Sequence, residues 1–164
     1  MKRGKFIVLE GGEGSGTTTM LSRIAETFAV DTYISTREPG GSPYAEEIRN
    51  VILHGDHAKD ADPTTMLLLF TAARVEHMKK VILPALASGK HVLCDRFEPS
   101  THVYQIIAED KPELLPTLKN LWNEFLKGCE PDLCIVLDVD PKTGLSRVER
   151  RGGKKTHFDE RSLA

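Results

Sequence analysis

The stretch Phe6–Met20, FIVLEGGEGSGTTTM, carries the residues whose types and spacing most directly imply chemistry. Gly11 and Gly16 stand in the G-x-x-x-x-G frame of a phosphate-binding P-loop. Such a loop closes backbone N–H groups round a phosphate, and the helix that follows adds its positive end. A plain glycine-rich turn is the weaker reading, because an apolar strand pattern precedes the loop and a helix pattern follows it. The motif calls next for lysine and then for Ser or Thr. Thr18 fills the second slot, where a hydroxyl holds a phosphate-bound Mg²⁺ or else caps the helix. Thr17 fills the first, so the loop lacks the cation that reaches the outer phosphates.

Other residues suit the same chemistry. Asp95 ends an apolar run, where a carboxylate reaches Mg²⁺ through water or caps its own loop. Arg37, Arg74 and Arg96 are candidates for an acceptor, since guanidinium matches phosphate or carbonyl oxygens. Singly, each reads more readily as a surface charge than as a ligand; Arg96, directly after Asp95, is the strongest. Phe70 is a core residue by spacing. The segment SRVERRGGKK, with Arg147, Arg150 and Arg151, has two readings of equal weight. One is a solvated helix end whose cations complement the dipole; the other is a lid that folds a cation over a transferring phosphoryl group.

A parallel α/β sheet would position these groups. Lys5–Glu10, Thr32–Thr36, Lys90–Asp95 and Leu133–Leu137 read as short strands, the last as a buried one. Helices are expected at Thr17–Val30, Tyr44–Leu53, about 63–87, Ser100–Ala108, Glu113–Lys127 and from Pro141. Asp62-Pro63 starts the long one, Pro84 bends or tightens its last turn and Gly89 ends it. The fold class is therefore α/β: a three-layer P-loop NTPase arrangement with helices on both faces of a four-stranded parallel sheet. Ligands of open α/β sheets bind beyond the carboxyl ends of the strands. Those ends deliver the P-loop, Arg37-Glu38, Asp95-Arg96 and Asp138 to one rim, which suits phosphoryl transfer.

Composition narrows the partners. A net charge of −2 gives no basic excess for a nucleic-acid surface. No apolar run approaches the ~18–20 residues of a membrane span, and the apolar run after Met1 is too short for a signal peptide. Cys94, Cys129 and Cys134 form no C-x-x-C pair and read as reduced thiols of a cytoplasmic protein. At 164 residues the chain reads as one domain.

Four motifs in order, LEGGEGSGTTT, TREPGGSPYAEEIR, LLLFTAARVEH and DRFEPSTHVYQ, resemble the thymidylate kinase family of nucleoside monophosphate kinases. PDLCIVLDVDPKTGLSR is similar to the strand and helix before that family's lid, so the resemblance covers nearly the whole chain. It implies ATP-dependent phosphorylation of dTMP to dTDP, with Mg²⁺, by a homodimer. Its implied ATP site is the backbone of Gly11, Gly12, Glu13, Gly14, Ser15, Gly16, Thr17 and Thr18, with Thr18 and Asp95 serving Mg²⁺. On the acceptor side it implies Phe70 stacked on the base and Arg74 on a base carbonyl. Arg37 and Arg96 would bind the phosphate, and Ser100 and Thr101 would line the base edge. Tyr104 would crowd the 2′ position beside Gln105, and Glu13 would contact the 3′-hydroxyl. Bacterial members carry the catalytic arginine in the lid, here about residues 147–160, which points to Arg150 and Arg151.

The chain departs from the family at Thr17, at the lid stretch Thr156-His157-Phe158-Asp159, which lacks the usual arginine, and in the absence of a fifth strand. The chain thus reads as C-terminally incomplete, with Leu133–Leu137 open at a sheet edge or covered by a partner subunit. Thr17 and His157 point to a second reading, a weak or inactive homologue that binds nucleotide or a partner; a third keeps the chemistry on another pyrimidine deoxynucleotide.

Overall fold

Side-chain alternation in two apolar runs builds the centre of the sheet. In β1 (Phe6–Gly11), Phe6 and Val8 face one side and Ile7 and Leu9 the other. In β3 (His91–Asp95), Val92 and Cys94 join the first set and Leu93 the second. The structure, a computed structural model, describes residues 2–152. Its strands are all parallel in the order β2-β3-β1-β4, with β2 spanning Tyr33–Arg37 and β4 spanning Leu133–Leu137. The register sets Leu9 and Arg37 opposite Asp95, and Gly11 opposite Leu137. One shared rim for the P-loop, Arg37 and Asp95 follows from that register.

Both faces are covered. Leu21 and Ala25 of α1 (Thr17–Ala25) pack on Leu9 and Leu93. On the other face Met78, Ile82, Leu86, Phe97, Trp122 and Leu126 pack on Phe6, Val8, Val92 and Cys94. The expected three-layer α/β architecture is therefore the one found.

The expectation of a buried fourth strand is corrected. Among the described residues β4 pairs only with β1, and Leu133 and Val136 are 50% and 67% exposed. A short apolar run has the same composition whether it lies at a sheet's centre or its edge, so the pattern could not separate the two.

The long helix is also more articulated than its periodicity suggests. It comprises α3 (Pro63–His77), a π-helical turn at Met78–Ile82 and α4 (Leu83–Ala87). Pro84 has no N–H to continue the i→i−4 ladder, and the chain widens just before it instead of tightening. Asp62 caps the start, accepting from the Thr64 N–H at 2.8 Å. α1 ends at Ala25, short of Val30, where Thr27 turns its hydroxyl onto the Ile24 carbonyl at 2.7 Å.

α2 spans Pro43–His54. α5 (Glu98–His102) starts ahead of Ser100 and runs into a π turn, Val103–Ile107. α6 (Leu115–Phe125) follows a 3₁₀ turn at Pro112–Leu114, and α7 spans Pro141–Arg151. The lid expected over 147–160 lies within the described residues only as far as 152. Lys154, Lys155 and the Thr156–Asp159 stretch lie outside them. Among the described residues no helix is long and apolar enough to cross a membrane.

Candidate active site

The P-loop joins β1 to α1 with no side chain capping the helix. Gly16, at φ 92°, takes the N-cap position, so the first N–H groups of α1 are not satisfied by a cap. That left-handed backbone conformation is one that glycine adopts without strain. The hydroxyl of Thr18 donates to Asp95 Oδ2 at 2.5 Å, so the two residues read as Mg²⁺ candidates do meet. Among the described residues the other Asp95 oxygen is buried with no hydrogen-bond partner, as is the Ser15 hydroxyl oxygen. Buried polar atoms are rarely orphaned, and an acidic oxygen left over beside a phosphate loop and a hydroxyl fits a divalent cation. Among the described residues no cluster of three or more His, Cys, Asp or Glu forms a self-sufficient metal site. A cation held here would therefore take most of its ligands from phosphate and water, as Mg²⁺ does.

A cleft of about 900 Å³ opens over the loop, and Arg23, Arg37, Arg49, Arg96 and Arg147 share its wall with Asp95 and Asp138. Arg96 follows Asp95 in a left-handed conformation, φ 71°, unusual for a residue with a side chain. Its Nη2 donates to Glu13 Oε1 at 3.0 Å and its Nη1 to Ser100 Oγ at 3.3 Å. The Tyr104 hydroxyl donates to the same Glu13 oxygen at 2.6 Å. Burial pushes the Tyr104 phenol up to about 12, so it stays protonated and donating.

Behind this group, buried Glu10 accepts from the Phe97 N–H at 2.6 Å and the Ser100 hydroxyl at 2.7 Å. Burial raises its carboxyl above the ordinary value even against those bonds. Glu10 thus anchors the turn that carries Arg96. Ser100 and Thr101, expected at a base edge, have protein partners: the Ser100 hydroxyl donates to Glu10, and Thr101 accepts from Arg74 Nη2 at 3.0 Å.

Arg37 pairs with Glu46 at 3.1 Å and remains more than half exposed. Arg49 was missed by sequence reading. It donates to the Pro39 carbonyl at 2.6 Å and lines the cleft with Arg37 and Arg96. Burial, and then the charge of Arg37, lower its pKa, as expected of cations crowded before an anion arrives. Its one signal was its position a turn after Glu46 on α2, too common a pattern to single out.

α7 meets the loop backbone to backbone. A Cβ on Gly144 would fall 2.2 Å from the Glu13 carbonyl oxygen, so only glycine permits the approach. One turn later Arg147 Nη1 donates to the Gly14 carbonyl at 3.2 Å. Arg150 instead turns back to the Ser146 carbonyl at 3.4 Å, and the side chain of Arg151 lies outside what the structure describes. Phe70 and Arg74 lie a turn apart on α3, Phe70 half-buried and Arg74 buried. Gln105 is buried, with its Oε1 unpartnered among the described residues.

A parallel sheet with a P-loop at the end of a central strand, an Asp-Arg pair at the next and arginines round one cleft defines a P-loop nucleotide-binding protein. A family-wide sequence model described as thymidylate kinase matches residues 9–164. The chain is 43% identical to a thymidylate kinase of Magnetococcus marinus over 164 residues, covering 99% of this chain and 77% of that protein. It is 45% identical to one of Ruegeria pomeroyi, covering 96% and 74%. A crystal structure of thymidylate kinase from Ehrlichia chaffeensis superposes with a TM-score of 0.73 at 34% identity, covering 90% of this chain and 78% of that one. The chain belongs to the thymidylate kinase family.

Proposed function

We propose that the chain transfers the γ-phosphoryl group of ATP to dTMP, giving dTDP and ADP. The observation that carries this reading is the single cleft shared by the P-loop and the guanidinium groups of Arg37, Arg49 and Arg96. A donor phosphate cradle thereby faces an anion site across one cavity, as in-line transfer between two phosphates requires. The backbone from Gly11 to Thr18 and the uncapped start of α1 would hold the ATP phosphates. Thr18 and the orphaned Asp95 oxygen would hold Mg²⁺, which would supply positive charge to offset that of the phosphates. Arg96, fixed by Glu13 and Ser100, orients the acceptor phosphate with Arg37 and Arg49. That phosphate is already an anion, so its oxygen attacks without a general base.

Phe70 stacks on thymine, Arg74 and Thr101 lie at its carbonyl edge, and Glu13, Tyr104 and Gln105 surround the deoxyribose. Arg147, hydrogen-bonded to the loop itself, supplies the charge that Thr17 cannot, and residues 147–160 act as the lid within one kinase domain. The chain works as a cytoplasmic homodimer. A groove of about 360 Å³ between α2, α3 and α6, lined by Tyr44, Leu68, Val75 and Phe125, would seat the second copy.

Membership in a kinase family favours turnover over a purely binding role. An assay coupled to ADP release tests it, with ATP, Mg²⁺ and dTMP, dUMP as rival acceptor, and dTMP omitted as background. ADP release that depends on dTMP is the expected result. Release that stays at background on a folded chain that binds both nucleotides would exclude the kinase reading.

A further inference from the structure

Behind Arg74 lies a buried polar chain to which none of the roles above gives a task. We propose that Glu38 and His77 are positioning residues for selection of the acceptor base. They fix the Arg74 guanidinium so that its one unpartnered buried nitrogen meets a ring carbonyl. The proposal rests on the dTMP reading and adds to it two residues that act through Arg74.

Glu38, 3% exposed, accepts from Arg74 Nε at 2.6 Å through Oε2. Its Oε1 lies 3.1 Å from His77 Nδ1, and the imidazole is wholly buried. The other ring nitrogen, Nε2, is 2.7 Å from Thr36 Oγ1. A neutral imidazole with its proton on Nδ1 satisfies both contacts: it donates to Glu38 and accepts from the Thr36 hydroxyl. The loop after β2 is seated on this ring, for a Cβ on Gly41 would fall 2.2 Å from His77 Nε2. The Glu38 N–H donates to the Asp95 carbonyl at 3.0 Å, tying the same loop to β3. The carboxylate cannot turn without breaking bonds to two side chains.

Arg74 inherits that rigidity. Nε is held by Glu38, Nη2 donates to Thr101 at 3.0 Å, and the guanidinium lies 5.0 Å from the centre of the Phe97 ring. Nη1 is buried and has no hydrogen-bond partner among the described residues. A charged donor left unsatisfied in a folded interior is costly, and an arriving acceptor atom relieves the cost. The 4-carbonyl of thymine is such an acceptor. A 4-amino group presents donors there and leaves Nη1 unpaired, so a fixed Arg74 rejects it and a loose one does not.

A purely structural ion pair would lower stability while leaving base preference alone, and the two roles separate on that point. Calorimetric affinities for dTMP and 5-methyl-dCMP are compared in the full chain and in Glu38→Gln, His77→Leu, His77→Gln and Thr36→Val. The native chain is expected to prefer dTMP. In Glu38→Gln and His77→Leu the preference falls about tenfold, the worth of one hydrogen bond. ATP affinity stays within about twofold in both, since the P-loop lies outside the network. His77→Gln, whose amide can still donate to Glu38, keeps most of the preference. Should Glu38→Gln or His77→Leu fail to fold, His77→Gln against Thr36→Val carries the comparison, the second losing more preference than the first. Affinities for both acceptors that fall in parallel, or a preference that stays fixed in folded variants, would overturn the positioning role alone. A native chain that binds neither acceptor would overturn the dTMP reading and this proposal with it.

Discussion

Thr17 removes the lysine charge from the P-loop, and Arg147, on another element, is hydrogen-bonded to the loop's backbone. A preorganised donor of this kind is worth about 3–4 kcal/mol in the transition state, or 10²–10³ in rate. Arg147→Ala is expected to lower kcat by about 100-fold while changing the KM for dTMP little. Arg150→Ala, at a residue that among the described residues bonds only to its own helix, should cost less than about threefold. Steady-state kinetics on the two variants check the assignment. Glu10 makes a prediction about pH. Burial raises its folded carboxyl above the ordinary 4.5, so the native state holds that proton more tightly than the unfolded chain does. Its contribution is fully present below the ordinary value and is lost as pH rises through the raised one. Glu10→Gln removes that slope, so the melting temperature of the variant relative to the native chain should climb between acid and neutral pH. A constant difference across that range would show that burial is not perturbing Glu10.

The contact of α7 with the P-loop depends on Gly144. Alanine normally gains about 1 kcal/mol over glycine inside a helix. Here its Cβ would fall 2.2 Å from the Glu13 carbonyl, so Gly144→Ala must push the helix or the loop aside. Overpacking of that size costs about 1–3 kcal/mol, and a rise of about tenfold in the KM for ATP is the expected readout.

The edge strand is fastened differently. Asp132, just before β4, accepts from Lys5 Nζ at 2.8 Å, the Phe6 N–H at 2.9 Å and Arg3 Nη1 at 2.9 Å. The hydrogen bond from Lys5, and then that from Phe6, hold its carboxyl well below the ordinary 3.8. The stability it adds is present above the ordinary value and is lost as pH falls toward the depressed one. Solvent screens both cations, so Asp132→Asn should cost about 1 kcal/mol at neutral pH, less at high salt and nothing in strong acid, as read by urea titration.

Strand existence and the shared rim were legible in the sequence, because apolar runs between glycine-rich turns fix both. The exposure of β4 was not, since edge and centre share one composition. Arg147 was not separable from Arg150 either: which one meets the loop depends on how α7 is rotated by the Gly144 contact.

Across the whole molecule, residues from every strand end converge on the cleft, while Tyr44, Leu68 and Phe125 leave an apolar groove on the opposite side of α3 from Arg74 and Thr101. If a second copy fills that groove, Leu68→Glu should convert a dimer into a monomer in sedimentation and lower stability with it. An unchanged sedimentation coefficient would place the interface elsewhere. Glu38, His77 and Arg49 show why the site was only partly readable. Each acts through neighbours far away in sequence, Glu38 reaching Arg74 on α3 and His77 reaching back to Thr36. No local spacing signals such a contact. Phosphorylation of dTMP by this family member is expected to depend on Arg147 of α7 in place of the cation missing from the P-loop. Its most direct test is the dTMP-dependent kcat of the native chain, Arg147→Ala, and the double variant Thr17→Lys with Arg147→Ala. Turnover by the native chain, its loss in Arg147→Ala and its substantial return in the double variant is the predicted result. A native chain at background that gains turnover only when Thr17 is replaced by lysine would contradict it.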